Sequence, residues 1–406
     1  MSNEEIKANI PAIAGGTPIR QGKPTLYYGK QLIEEDDIAA VAEVLRSPEI
    51  TCGPKIGELE EELCRITGAR YAVACSNGTA ALHMACMAAG ITKGDEVIVS
   101  SLTFAASANC VLYCGGTPVF ADIREDTYNI DIESIKEKIT PRTRAIIAVD
   151  FTGQAVQLKE LLALCREKRL LLIEDAAHSL GTKYMGRPVG SIADITTFSF
   201  HPVKTVTSGE GGACTTNNTE IALNLALLRS HGITRNKDIE RHPSDDPWYN
   251  EQVLLGFNYR MTDFQAALLL SQLKKLDRFV AARAAIREKY NRAFADIPQL
   301  ILQTNIPESE TAQHLYILRL NAKKISCNRR QFFDALCAEG IHPQVHYLPV
   351  YRHSFYEAIG YAPNECPVAN KVYYGIVSIP LYPALTEEDT DDVIAAVKRI
   401  CEYFAI

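Results

Sequence analysis

Lys204 stands in TTFSFHPVKTVTSGEGGA (196–213), between an apolar run and a glycine-rich turn and away from any helical charged face. By default such a lysine is a surface charge; its chemical alternative is a Schiff base with a carbonyl. Two neighbouring patterns alter that default. LLIEDAAHS (171–179) puts Asp175 at the C-terminal end of an apolar strand and His178 three residues on, and ligands of open α/β sheets collect outside those strand ends. CSNGTAAL (75–82) joins a strand to a helix, with Gly78 for the tight turn and Thr79 opening the helix. Unpaired N–H groups at such a terminus suit a phosphate. Taken singly, these read as a helix cap, a half-exposed imidazole and an ordinary Ser/Asn/Thr cap. With Ser199 beside the lysine's loop, they supply a Schiff-base lysine, a carboxylate for a pyridine nitrogen and a phosphate cup. Those are the parts that pyridoxal 5′-phosphate (PLP) requires.

The elements that must position these residues are legible in the apolar pattern. Runs at 71–76, 96–100, 117–122, 144–150 and 169–175 alternate with helical stretches at about 79–89, 104–113 and 158–169. Continuous apolar strands separated by helices predict an α/β sheet covered on both faces. ITTFSF (195–200) and GGACTT (211–216) follow with no long helix between them, so a mixed sheet is expected. Amphipathic helices are expected from Glu34 and over KIGELEEELCRITG. A long helical region at 262–295 leads to a smaller α+β unit with strand-like HLYILRL (314–320) and PQVHYLP (343–349) and helices at 328–338 and 387–403. The division expected is an arm (1–30), a large domain (31–270) and a small C-terminal domain (271–406).

Composition bounds the function. The chain has 406 residues, 47% hydrophobic and 22% charged, with formal charge −7. This is ordinary globular composition, and the net charge argues against bulk binding to nucleic acid or an anionic membrane. No run approaches the ~18 apolar residues of a membrane span. The start, MSNEEIKANIPAIAGG, shows no signal-peptide pattern, so a cytoplasmic location is expected. Twelve cysteines form no CxxC pair and read as reduced, mostly buried thiols, with no metal site.

Together SNGTAAL, TFAASAN, EDAAHSLG, FSFHPVK–SGEGG and GFNYRMTDFQAAL resemble the DegT/DnrJ/EryC1/StrS sugar aminotransferases, from about Thr25 to the C-terminus. The resemblance implies PLP-dependent transferase fold type I, as in aspartate aminotransferase, and a homodimer with shared active sites. It assigns Lys204 the covalent link to PLP, Asp175 the pyridinium nitrogen and His178 the phenolic oxygen, where many relatives carry Gln. Gly78, Thr79, Ala80 and Ser199 would hold the phosphate and Phe104 would stack on the ring. Asn258 or Arg260 would reach the neighbouring subunit's phosphate.

The segments DFTGQ (150–154), RSHGI (229–233), HLY (314–316) and PQVHYLPVY (343–351) direct the resemblance to members of the pseudaminic acid route. There L-glutamate, leaving as 2-oxoglutarate, aminates C-4 of a UDP-linked 4-keto-6-deoxy-N-acetylhexosamine. Tyr28, Thr51, His314, Tyr316, His346 and Tyr347 are the candidate sugar contacts, with Tyr351 and Arg352 beside them and Arg235 and Lys237 candidates for the diphosphate. A dTDP- or GDP-linked keto sugar and a non-catalytic PLP-binding sensor remain open. Family dehydratases carry His in place of the lysine, which Lys204 argues against.

Overall fold

The computed structural model describes residues 10–242 and 244–406. The first nine residues of the expected arm, and Pro243 of the polar loop at 236–252, lie outside them. Seven strands form the main sheet: β1 (Tyr71–Cys75), β2 (Glu96–Ser100), β3 (Thr117–Ala121), β4 (Thr143–Val149), β5 (Leu171–Asp175), β6 (Ile195–Ser199) and β7 (Gly212–Thr216). Their spatial order is β1-β7-β6-β5-β4-β2-β3. β7 is antiparallel to both neighbours and the other pairs are parallel, so the sheet is mixed, as the missing helix between β6 and β7 predicts.

Both faces are buried, and alternate residues of each strand serve opposite cores. After α1 (Glu35–Arg46) and α2 (Pro54–Thr67), Val73, Cys75, Val97 and Val99 pack with α3 (Gly78–Ala88) and α4 (Ala106–Tyr113). Ala72, Ala74 and Ile98 face the cluster that holds Leu59 and Leu63 of the helix Pro54–Thr67 and Leu158 and Leu161 of the helix Leu158–Lys168. Each Val, Ile or Leu among these contributes about 1.5–3 kcal/mol when fully buried. The helices Ile132–Lys138 and Thr219–Arg229 were not anticipated. The first spans only two turns. The second is opened by an Asn218 side chain that accepts from Glu220 and Ile221 N–H.

The expected helical region at 262–295 is two helices, Asp263–Leu273 and Leu276–Phe294, broken at Lys274–Lys275. A three-stranded antiparallel sheet follows, with Tyr316–Leu320 between Leu300–Leu302 and Ile376–Ile379. PQVHYLP departs from expectation: only Gln344 makes a bridge, to Ser378, and the rest is irregular. Pro343 and Pro349 lack N–H groups, so along the free edge of Ile376–Ile379 the run makes only the Gln344–Ser378 bridge.

Residues 10–30 are tied down by the C-terminal part of the chain. Ala12 and Ile19 N–H donate to the Glu339 carboxylate at 2.9 Å each, and buried Arg20 pairs with Asp389 and Asp392 at 2.8 and 2.7 Å. Residues 350–372 turn back onto the main sheet, where Tyr351 and Tyr356 flank Phe120 at ring distances of 5.6 and 5.7 Å. All twelve cysteines are free and eight are buried. Among the described residues no helix is long and apolar enough to cross a membrane.

Candidate active site

A cavity of about 820 Å³ opens at the C-terminal ends of β4, β5 and β6 and the start of α3. That volume is within the range of small-molecule sites, roughly 300–1,000 Å³. Asp175, in register with Val149 and Thr197 on the flanking strands, forms its floor. Its Oδ2 accepts from Ser107 Oγ at 2.7 Å and its Oδ1 from Ala177 N–H at 3.2 Å. Burial raises the Asp175 pKa, against the opposing pull of Ser107, the Ala177 N–H and the Lys204 ammonium. Lys204 comes from the loop between β6 and β7, its N–H bonded to His201 O at 2.9 Å. Burial depresses its pKa to about 8, with Asp175 opposing.

Asn77 caps α3 by accepting from Ala80 N–H at 2.8 Å. A Cβ on Gly78 would stand 2.8 Å from Ser199 Cβ, so glycine is what lets the serine close on the helix's first turn. Gly78, Thr79, Ala80 and Ser199 all line the cavity.

His178 is buried, with Tyr347 Oη 3.2 Å from its Nε2 and no partner for its Nδ1. Burial first, then Lys204 and His346, hold it uncharged. Phe104 is 60% exposed at the rim, its ring 6.0 Å from that of Tyr347. Tyr28 and His346 line the cavity with rings 4.8 Å apart. His346 Nδ1 lies 2.8 Å from Ser378 Oγ, and burial, helped by Lys204, drives its pKa down to about 3.

The donor set fits PLP: a lysine facing a buried carboxylate, an orphaned buried imidazole nitrogen, and a helix N-terminus against which only a glycine admits Ser199. The model of the DegT/DnrJ/EryC1/StrS aminotransferase family matches residues 31–398. The chain belongs to that family. It is 41% identical over 377 residues to the spore coat polysaccharide biosynthesis protein SpsC of Bacillus subtilis, covering 92% of this chain and 97% of SpsC. Helicobacter pylori PseC, an aminotransferase involved in the biosynthesis of pseudoaminic acid, superposes with TM-score 0.87 at 31% identity, covering 94% of this chain and all of PseC. The PLP form of the putative sugar aminotransferase Spr1654 from Streptococcus pneumoniae gives 0.87 at 30%, covering 93% and 99%. The fold is thus that of the PLP-dependent aminotransferases, and the chain is a PLP-dependent transaminase of the sugar aminotransferase family.

Several expected residues stand elsewhere. Tyr316 does not reach the cavity: it packs among Tyr290 and Phe294 in the small sheet's core, its hydroxyl donating to Asn291 Oδ1 at 2.8 Å. His314 lies behind His178, ring centroids 4.3 Å apart, rather than in the lining. The polypeptide enters strand geometry only at Tyr316, because His314 and Leu315 N–H both donate to Thr152 O. Tyr351 is a core residue, bonded to Cys366 O and Asn370 Oδ1 at 3.0 Å each. Lys237 is exposed and pairs with Asp245. Thr51 and Asn258 are exposed and Arg260 is half-buried; none of the three lines this chain's cavity.

Ser107, Thr103, Tyr113, Thr197 and Tyr259 line the cavity without having been singled out. Ser107 lay inside TFAASAN, and its signal was a small hydroxyl on the first turn of the helix that faces the strand ends. Tyr259, between Asn258 and Arg260, turns into its own chain's cavity, with its hydroxyl 3.1 Å from His83 Nδ1.

A second acidic pair lies beneath the site. Asp150 accepts from Ser179 Oγ at 2.5 Å and Val156 N–H at 2.9 Å, and Glu174 from Thr196 Oγ1 at 2.9 Å. Both are fully buried. Burial pushes Asp150 up to about 7; burial and then Asp150 push Glu174 well above the carboxylate range.

Proposed function

We propose that this transaminase moves the amino group of L-glutamate to C-4 of a UDP-linked 4-keto-6-deoxy-N-acetylhexosamine. The product is a UDP-4-amino-4,6-dideoxy sugar, UDP-4-amino-4,6-dideoxy-N-acetyl-β-L-altrosamine of pseudaminic acid biosynthesis. The observation that carries this reading is the likeness to PseC along nearly the whole of both chains, together with the cavity that sets Lys204 against Asp175.

PLP, when bound, supplies a carbonyl that amines can join and a ring that accepts electrons. The chain's residues do the rest. With a pKa near 8, about a tenth of Lys204 is neutral at pH 7, whereas an unperturbed lysine at ~10.4 has under one part in a thousand. Its Nζ would serve as the base that takes the proton from the donor's α-carbon. Ionised Asp175, steadied by Ser107 and Ala177 N–H, keeps the ring nitrogen protonated. Neutral His178 meets the phenolic oxygen through its free Nδ1, while Tyr347 fixes Nε2. Gly78, Thr79, Ala80 and Ser199 hold the phosphate through main-chain N–H groups and a hydroxyl, and Phe104 covers the ring. Tyr28, His346 and Tyr347 contact the sugar.

In this reading the enzyme is a cytoplasmic homodimer in which Asn258 or Arg260 reaches the partner subunit's cofactor phosphate. The arm (1–30), large domain (31–270) and small domain (271–406) are its working parts. The test is a product assay with UDP-, dTDP- and GDP-linked keto sugars, followed by NMR of the new amine centre. Turnover of the UDP sugar with an amine at C-4 is the expected result. An unchanged UDP sugar beside an aminated dTDP or GDP one overturns the substrate assignment. A visible band that no amino donor bleaches marks a sensor instead.

A further inference from the structure

Arg283, on the helix Leu276–Phe294, is 1% exposed. Among the described residues its only hydrogen-bond partners are main-chain carbonyls, those of His314 (3.2 Å) and Leu381 (2.7 Å) from Nη1 and of Lys204 (3.4 Å) from Nη2. Its Nε has no partner among the described residues, and burial alone, with no acidic neighbour, shifts its pKa down to about 10. A buried guanidinium without a carboxylate is costly. What offsets that cost is the convergence of three carbonyls on one planar fork, a geometry a lysine ammonium cannot reproduce.

The three carbonyls belong to three walls of the site. Lys204 carries the reactive amine. His314 backs the ring of His178 at 4.3 Å. Leu381 N–H donates to Tyr28 O at 3.0 Å, and Tyr28 lines the cavity. A void of about 10 Å³ bounded by Lys204, Arg283, Gln272 and Thr205 lies beside the guanidinium, about the room one water needs.

We propose that Arg283 is a positioning residue for Lys204: a buried guanidinium, balanced by main-chain carbonyls alone, that fixes the lysine's loop against the segments holding His178 and Tyr28. This rests on the assignment of Lys204 to the cofactor. With the clamp gone, the loop and the two opposing segments move separately, and a misplacement of about 1 Å at the reacting atom costs about 10²-fold in rate.

The test compares Arg283→Lys and Arg283→Gln with Tyr290→Phe in the full-length enzyme. Tyr290 sits on the same helix and donates its hydroxyl to Pro380 O at 3.1 Å, so Tyr290→Phe loosens the same helix without touching Lys204. Two readouts are taken: amide exchange in the cofactor-free protein, and steady-state kinetics with the pH midpoint of the visible absorbance in the loaded one. The amides to follow are Lys204 and Ser208, which bond to His201 O and Phe200 O. Expected for the Arg283 variants are faster exchange at both amides, kcat lower by about 10–100-fold at little-changed KM for L-glutamate, and a shifted absorbance midpoint. Tyr290→Phe is expected to leave all three near wild type. Wild-type exchange or wild-type kcat in Arg283→Lys overturns the proposal, as does an equal loss of kcat in Tyr290→Phe. Full activity in Lys204→Ala overturns the lysine assignment instead, and the exchange data stand apart from it.

Discussion

The wall of the cavity built from strand ends and a helix start holds its residues by rules that recur throughout α/β proteins, whereas the wall around 343–349 has almost no regular structure. On the first wall Asp175 is the last residue of β5, Ser199 the last of β6, and Gly78 the first of α3. Their direction follows from the sheet, because parallel strands end together on one edge. On the second, Tyr347 and His346 lie in an irregular run beside a single bridge at Gln344, and Tyr316, two residues from His314, belongs to another core. The first wall holds groups assigned to the cofactor, and the second holds His346 and Tyr347, assigned to the sugar. A site can therefore keep one chemistry on a fixed edge and vary its substrate through a segment that no backbone ladder constrains.

The most damaging test of the first wall is Lys204→Ala. Turnover and the visible absorbance of the lysine-bound cofactor are expected to vanish while circular dichroism and Tm stay near wild type. Normal activity in that variant breaks the comparison at its centre. Tyr347→Phe, on the second wall, removes the partner of His178 Nε2 and is expected to lower kcat by about tenfold, the loss of one hydrogen bond of ~1.4 kcal/mol in the transition state. Tyr316→Phe sharpens the contrast. It loses only the bond to Asn291, so about 1 kcal/mol of stability is expected to go and kcat to remain, as denaturant unfolding and steady-state rates will report.

The smallest expected effect concerns the buried acids beneath the first wall. Burial raises the folded-state pKa of Asp150 to about 7, above ~3.9 for an unfolded Asp. Folding therefore takes up a proton between those values, so this share of stability is present below about pH 4 and is lost as pH rises toward 7. Asp150→Asn has no such proton. The Tm of the variant relative to wild type is expected to climb by a few degrees from about pH 4 to 7. A constant difference across that range removes Asp150 from the account.

Much of the first wall was legible because each signal there is local. An apolar run ending in an acid, a Ser-Asn-Gly-Thr turn and a lysine before a glycine-rich hairpin can be read without knowing what packs where. Ser107 escaped notice because alternate small residues in TFAASAN look alike until the helix face is fixed against β5. Arg283 escaped for the opposite reason. In LDRFVAARAAIREKYNRAF it is one of four arginines at helical spacing, and nothing local marks the one that points inward. The run PQVHYLP carried a strand-like pattern, yet its prolines withhold donors, and only Gln344 bonds the open edge of Ile376–Ile379.

By itself the sequence determined the mixed sheet, its covering helices and the group of residues that suits a phosphorylated pyridine, because hydrophobic periodicity and capping are properties of neighbours along the polypeptide. Only the tertiary structure decided that His314 backs His178, that Tyr316 is core and that the Arg283 guanidinium meets the Lys204 carbonyl. Those outcomes depend on which distant carbonyl, ring or carboxyl each side chain meets, and one chain of letters does not state the distances between its remote parts.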